Sequence, residues 1–179
     1  NETVIEAKGI APIKPMLDRI DRVHDKAALT RLLGSGLKAD VDPMNNGVFR
    51  SSHVLGLATQ ASIHGEKNYV AFLVQGGLGL PDRENYLSVE PVMQALRTRY
   101  REAVASVLAT TDAKNAASAS KRAEAVVALE TAIARSHATQ EVSGNEKNAD
   151  NLWTRADFAR QAPGMDWSAF FAAAGLAKQ

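Results

Sequence analysis

Hydrophobic and polar positions along the chain keep a helical rhythm that one short extended stretch interrupts. Met16, Leu17, Ile20 and Val23 recur at helical spacing behind Pro15, a residue suited to a first turn. Asp25 stands where an N-cap belongs. Leu29, Leu32 and Leu33 then give the next helix an apolar face as far as Gly34. The stretch from Gly34 to Ser52 is rich in Gly, Asp, Asn and Ser and reads as a loop. Two runs follow, Val54 to Ile63 and Asn68 to Val74, separated by His64-Gly65-Glu66-Lys67. Tyr69, Val70, Phe72, Leu73 and Val74 favour an extended chain, and a four-residue break suits a hairpin. Met93, Leu96, Tyr100, Val104, Val107 and Leu108 then form a stripe that predicts a long helix from about Pro91 to Thr110. Asp112 to Ser118 is a connector of small residues. A second long helix is expected from about Ala119 to Ala138. Glu141 to Asn151 is polar and reads as an exposed loop. Thr154-Arg155-Ala156-Asp157 has the form of a capping box that opens a short helix toward Gln161. Asp166 caps a last helix, which Gly175 stops. The pattern predicts a mainly α-helical fold with a small β-hairpin.

Between hairpin and long helix lies Gly76-Gly77-Leu78-Gly79-Leu80-Pro81-Asp82-Arg83-Glu84-Asn85-Tyr86-Leu87. Three glycines in four positions followed by a proline fix an unusual backbone path. This run resembles the Gly-Leu-Gly-Leu-Pro-x-Arg-Asp-Tyr-Tyr stretch in the amino-terminal domain of the neprilysin and endothelin-converting-enzyme family of zinc metallopeptidases. Lys8-Gly9-Ile10-Ala11-Pro12-Ile13-Lys14-Pro15, with Leu17-Asp18-Arg19-Ile20, is similar to the Gly-Ile-x-Pro-Ile-Lys-Pro segment of bacterial members. Leu129-Glu130 with Ile133-Ala134 resembles the family's Leu-Glu-x-x-Leu-Ala helix. Pro163-Gly164-Met165-Asp166-Trp167 with Phe170-Phe171 resembles its Pro-x-x-Asp-Trp-x-x-Phe segment. The four matches fall in family order. Asn85 replaces the usual Tyr and Glu84 the usual Asp. The Arg-Asp pair expected before the last segment is missing, and only Asn151 remains of a Tyr-Asn pair.

The resemblance implies that residues 1–179 are one fragment of a peptidase amino-terminal domain. Short helices and a loop would occupy 1–52, the hairpin and glycine-rich loop 53–87, and the helical part 88–179, with the catalytic domain outside. Gly76, Gly77, Gly79, Pro81, Arg83, Glu130, Asp166 and Trp167 match the family motifs and are expected to be structural. No catalytic or metal-binding residue is carried over. Zinc would belong to the parent enzyme, whose catalytic domain would be this segment's partner and small peptides its substrates. A periplasmic or extracellular location is likewise an implication of the resemblance.

Composition narrows the field only slightly. A chain of 179 residues with 45% hydrophobic content can bury one substantial core. A net charge of +1 gives no reason to expect nucleic acid or an anionic membrane as partner. No window approaches the apolar length of a membrane span. The start at Asn1, without methionine or a signal-like stretch, reads as an excised piece. The absence of cysteine excludes disulfides and thiolate zinc sites within the segment.

Four constellations invite a chemical reading. Zinc peptidases of this type use two histidines one helical turn apart with a glutamate beside the first. His24, His53, His64 and His137 have no histidine three to five positions away. His64-Gly65-Glu66 places a carboxylate nearby, but in a turn. The glycine loop lacks the third glycine of a dinucleotide fingerprint and the Gly-Lys-Ser/Thr of a P-loop. Pro81-Asp82 also brings negative charge where phosphate would sit. Arg97, Arg99 and Arg101 flank Tyr100 among Glu90, Glu102 and Asp82, which reads as a solvated or salt-bridged face. Glu130 lies at the centre of a stripe formed by Ala119, Ala123, Val126, Val127, Ile133 and Ala134. A carboxylate there needs a partner, and Arg83, then Arg101, are the expected cations. Besides the peptidase segment, two alternatives stand: a peptide- or protein-binding module without a catalytic half, and an independent enzyme using Glu130, His137 or His64.

Overall fold

A computed structural model describes residues 2–37, 51, 53–62 and 67–177. Residues 38–50 and 52 of the loop expected over 34–52 lie outside these, as do residue 63 at the end of the first extended run and residues 64–66 of the hairpin break, His64 among them. The chain divides into two compact units, Asn1–Ala39 with Asn151–Gln179, and Asp40–Asp150.

In the first unit, α1 (Glu2–Lys8) is followed by a 3-10 turn (Ala11–Ile13) and α2 (Lys14–Asp21), with prolines in the opening turns where a missing N–H costs nothing. Asp25 caps α3 (Lys26–Gly36) by accepting the Ala28 N–H at 2.6 Å. The helix runs two residues past Gly34, the stop read from the sequence. Gly34 instead serves packing. A β-carbon there would lie 2.3 Å from the Phe170 carbonyl oxygen, so its absence lets α3 close on the final helix. The carboxy-terminal segment supplies that partner.

Thr154 and Asp157 form the expected capping box at the start of α9 (Arg155–Gln161). Hydrogen bonds from Thr154 hold the Asp157 carboxyl below the usual carboxylate range. Asp166 then accepts the Ala169 N–H at the start of α10 (Trp167–Ala173). Gly175, at φ +79°, ends that helix, and the Leu176 N–H reaches back to the Phe171 carbonyl at 2.8 Å. Trp153, Phe158, Trp167, Phe170 and Phe171 stack in tilted and edge-to-face pairs, with centroids 4.9–5.9 Å apart. Phe170, Phe171, Leu37 and Thr30 are all buried.

The second unit opens with β1 (Leu55–Ala61) and β2 (Tyr69–Gln75), antiparallel, with Leu55 opposite Gln75 and Ala61 opposite Tyr69. After the glycine loop comes α4 (Glu84–Leu87), a single turn absent from the hydrophobic pattern. The two long helices are α5 (Pro91–Thr111) and α6 (Ala119–Ser136), joined by a 3-10 segment at Ala113–Ser118. They pack along each other, and Ala119 and Ala123 are buried where small side chains permit close approach. Val107, placed on the inner stripe of α5 by its spacing, is exposed instead. Arg122 closes the end of α5 through its contacts with Asp112 and the Leu108 carbonyl. The Asn115 amide, then Arg122, draw the Asp112 carboxyl below its ordinary range. The polar stretch read as a loop forms two short exposed helices, α7 (Gln140–Ser143) and α8 (Glu146–Ala149). Thr139 and Asn145 cap them, which explains why a polar sequence still coils.

Candidate functional site

The glycine loop of the second unit is tied at its start and in its middle. At its start the N–H groups of Gly76 and Gly77 donate to the carbonyls of Val54 and Ser51 at 3.1 and 3.2 Å. Gly77 has φ +83°, a left-handed conformation that other residues enter at a cost. The Gln75 side chain exchanges two hydrogen bonds with the backbone of Ala138, at 3.2 and 2.9 Å, just past the end of α6. His137 Nε2 lies 3.0 Å from the Gly76 carbonyl, a contact that needs the proton on that nitrogen.

In the middle of the loop the Leu80 N–H donates to the Tyr86 hydroxyl at 2.8 Å. That hydroxyl donates in turn to Glu130 Oε2 at 3.0 Å, while Tyr100 donates to Glu130 Oε1 at 3.0 Å. One carboxylate thus joins three elements: α4 through Tyr86, α5 through Tyr100, and α6, which carries it. Gly79 makes room for this. A β-carbon there would lie 1.9 Å from the Tyr100 hydroxyl oxygen. Leu80, Tyr86 and Ala134 are buried around the group, with Leu78, Leu87, Leu96 and Tyr100 packed against them. The tyrosine rings meet edge to face, 6.5 Å between centroids.

The cation expected beside Glu130 is not its partner. Glu130 is half-buried and takes two hydroxyls. Arg83 goes instead to the Ala134 carbonyl, Nε at 3.3 Å, and to Glu84. Arg101 is exposed. The hydroxyls avoid the cost of desolvating a second full charge, which an ion pair on this stripe would incur. Arg97 donates to the Asn85 and Ser88 carbonyls, at 2.8 and 3.0 Å, and so ties α5 to the end of α4. Pro81 is exposed at the rim of the loop, and Asp82 accepts the Glu84 N–H. Asp166 and Trp167 belong to the first unit, where one caps α10 and the other donates its indole N–H to the Ala162 carbonyl at 2.8 Å.

Tyr86 and Tyr100 were missing from the reading of the site. Tyr100 carried a signal, since an aromatic on an inner helical stripe has a hydroxyl that needs a partner once buried, whereas Tyr86 lies in a turn too short to show a stripe. Burial, then the bond to Glu130, pushes the Tyr86 hydroxyl up to about 12 and the Tyr100 hydroxyl higher still. A tyrosine used as base or nucleophile needs a shift the other way. Both hydroxyls stand here as hydrogen-bond donors to Glu130, and the group anchors the loop. Because the folded values are raised above the unfolded one near 10, the stabilisation is complete below about pH 10 and fades above it. Difference absorbance against a Tyr86→Phe/Tyr100→Phe variant should show both hydroxyls largely un-ionised at about pH 11. Full tyrosinate signal from both at that pH would contradict the anchored geometry.

Among the described residues no cluster of three His, Asp or Glu side chains could hold a metal ion. No helix among them is long and apolar enough to cross a membrane. The amino-terminal model of Peptidase family M13 matches residues 1–179. The zinc metalloprotease Zmp1 of Mycobacterium tuberculosis has the same fold in its open state. Its TM-score is 0.79 at 24% identity, over 97% of this chain and 25% of the other. A structure of the same protease in complex with an inhibitor gives 0.75, with the same identity and coverage. The chain therefore spans about a quarter of the length of the solved structures it resembles. No curated protein gives a significant sequence match.

Proposed function

The chain belongs to peptidase family M13, in its amino-terminal part, and on that premise we propose that it is the non-catalytic lid of a neprilysin-like zinc metalloendopeptidase. The observation that carries this reading is the match of the amino-terminal family model to every residue from 1 to 179. In this reading the segment caps the catalytic domain of the same polypeptide and restricts access to small peptides. The enzyme then works in the periplasm or outside the cell. Zinc and its ligands belong to the remainder of the polypeptide, where the metal activates water for peptide hydrolysis. The histidines of this segment lack the spacing to hold it. What this chain supplies is shape. The Glu130 anchor and the ties of Gln75, Gly76 and Arg83 to Ala138, His137 and Ala134 at the end of α6 keep the glycine loop rigid beside the long helices.

Metal analysis and a fluorogenic peptide assay on dialysed protein test the division of labour. The parent enzyme should hold one zinc and hydrolyse the peptide with chelator sensitivity, and residues 1–179 should do neither. Stoichiometric zinc in the segment, or its own chelator-sensitive hydrolysis, would overturn the assignment.

A further inference from the structure

Among the described residues the sheet of the second unit has two strands, so no other strand covers the outer edge of β2. A hairpin of two strands is marginal in water without a further element. Two hydrogen bonds fix which backbone groups point outward. The Gly76 N–H donates to the Val54 carbonyl at 3.1 Å and the Ser62 N–H to the Asn68 carbonyl at 2.9 Å, and both continue the register of the ladder. The mutually bonded pairs are therefore Gly56 with Val74, Ala58 with Phe72 and Gln60 with Val70. The N–H and C=O groups of Tyr69, Ala71 and Leu73 face away from β1 and find no hydrogen-bond partner among the described residues. Tyr69 is 77% exposed, and Ala71 is exposed too. Strand edges are usually blunted by a charge, a proline or a bulge. β2 reads Tyr-Val-Ala-Phe-Leu-Val-Gln, with neither charge nor proline, and its register runs unbroken from Tyr69 to Gln75.

We propose that the outer edge of β2 binds an extended, uncharged peptide, which adds to the hairpin as a third strand. The proposal rests on the reading of the chain as part of a peptidase and deepens it, by naming where this segment holds peptide backbone. Main-chain bonding suits a peptidase substrate, because the ladder itself is indifferent to most side chains. Selectivity comes from the neighbours. Val70, Phe72 and Val74 share one face of β2 and are only partly covered, so apolar residues at alternate positions of the peptide lie beside them. Neither β1 nor β2 carries a charge that could pair with an acidic or basic residue of the peptide. Area argues against a second copy as the occupant. An edge of seven residues is about 23 Å long and covers on the order of 300 Å² per partner, well under the ~800 Å² of a stable complex between proteins. A single strand needs no such area, since its gain is a row of directed hydrogen bonds.

The test uses the full-length parent, in excess chelator so that the probe stays intact, and the peptide fluorescein-Thr-Val-Thr-Val-Thr-Val-amide. Thr59 and Ala71 stand opposite each other in a pair that shares no hydrogen bond, so proline at either removes one outward N–H and no ladder bond. Ala71→Pro should weaken binding by at least about tenfold, and Thr59→Pro, on the other edge, by less than about twofold. Hydrogen exchange of the unsubstituted parent keeps the test valid if a proline variant misfolds. Without probe, the amides of Val70, Phe72 and Val74 should exchange slowly and those of Tyr69, Ala71 and Leu73 fast. The probe should slow the second set by at least about tenfold. Unchanged binding in Ala71→Pro, equal loss in the two folded variants, or a second set still fast with probe overturns the proposal. Slow exchange at all six without probe overturns it in favour of a strand of the parent itself, or of a second copy where dilution restores fast exchange. Zinc content measured before chelation reports separately on the peptidase reading. A zinc-free parent that binds the probe removes that reading and leaves the edge site, and a zinc-loaded parent that does not bind it does the reverse.

Discussion

Replacing Glu130 by alanine is expected to lower stability by about 3 kcal/mol, a fall of roughly 6–12 °C in Tm for a chain of this size. The substitution removes two hydrogen bonds to a charged acceptor and leaves the Tyr86 and Tyr100 hydroxyls without their partner inside a packed cluster. It also slackens Leu80, whose N–H is held by Tyr86. Glu130→Gln should cost only about 1 kcal/mol, because the amide still accepts from one tyrosine and can donate to the other. The order of the two variants is the informative result. If glutamine were as damaging as alanine, negative charge would matter more than hydrogen bonding, and an undetected cation would be implied. If neither variant moved Tm, the anchor would be unimportant.

Gly34→Ala is expected to destabilise the first unit by about 2–4 kcal/mol, although a helical glycine replaced by alanine ordinarily gains up to about 1 kcal/mol. The new methyl would stand 2.3 Å from the Phe170 carbonyl oxygen and 3.1 Å from the Ala173 β-carbon. The nearer obstacle is backbone, so α10 must move as a body and open the packing around the fully buried Phe170. Thermal unfolding with near-ultraviolet circular dichroism reads both effects, since Trp167, Phe170 and Phe171 form one cluster. A neutral or stabilising alanine would mean that α3 and α10 do not approach this closely.

Local chemistry was legible wherever a short-range signal decides the outcome. Asp25, Thr154 and Asp166 announce helix starts through side-chain acceptors placed before an apolar run, and each cap is present. The hairpin and both long helices follow from periodicity, with ends shifted by a residue or two. Short elements escaped. The single turn of α4 is too brief to show a period, and α7 and α8 are coiled by caps with no apolar stripe. The phase of Glu130 was correct, yet its partners stand 30 and 44 residues away. Sequence spacing along one helix says that a buried carboxylate must be satisfied; it does not say by whom. An arginine in the adjoining motif was the obvious donor, and two hydroxyls from elements brought in by tertiary packing took its place.

Access control is the central claim, and the size dependence of hydrolysis by the full-length parent tests it most directly. The measurement is kcat/KM over a graded series, from peptides of about ten residues to a folded protein of about a hundred, for the parent and for its Glu130→Ala and Gly34→Ala variants. The parent should cleave the short peptides and discriminate by at least about a hundredfold against the folded protein. The loosened variants should keep their zinc and short-peptide turnover while that discrimination shrinks. A parent indifferent to substrate size, or variants that lose zinc and short-peptide cleavage with no change in discrimination, would contradict the account.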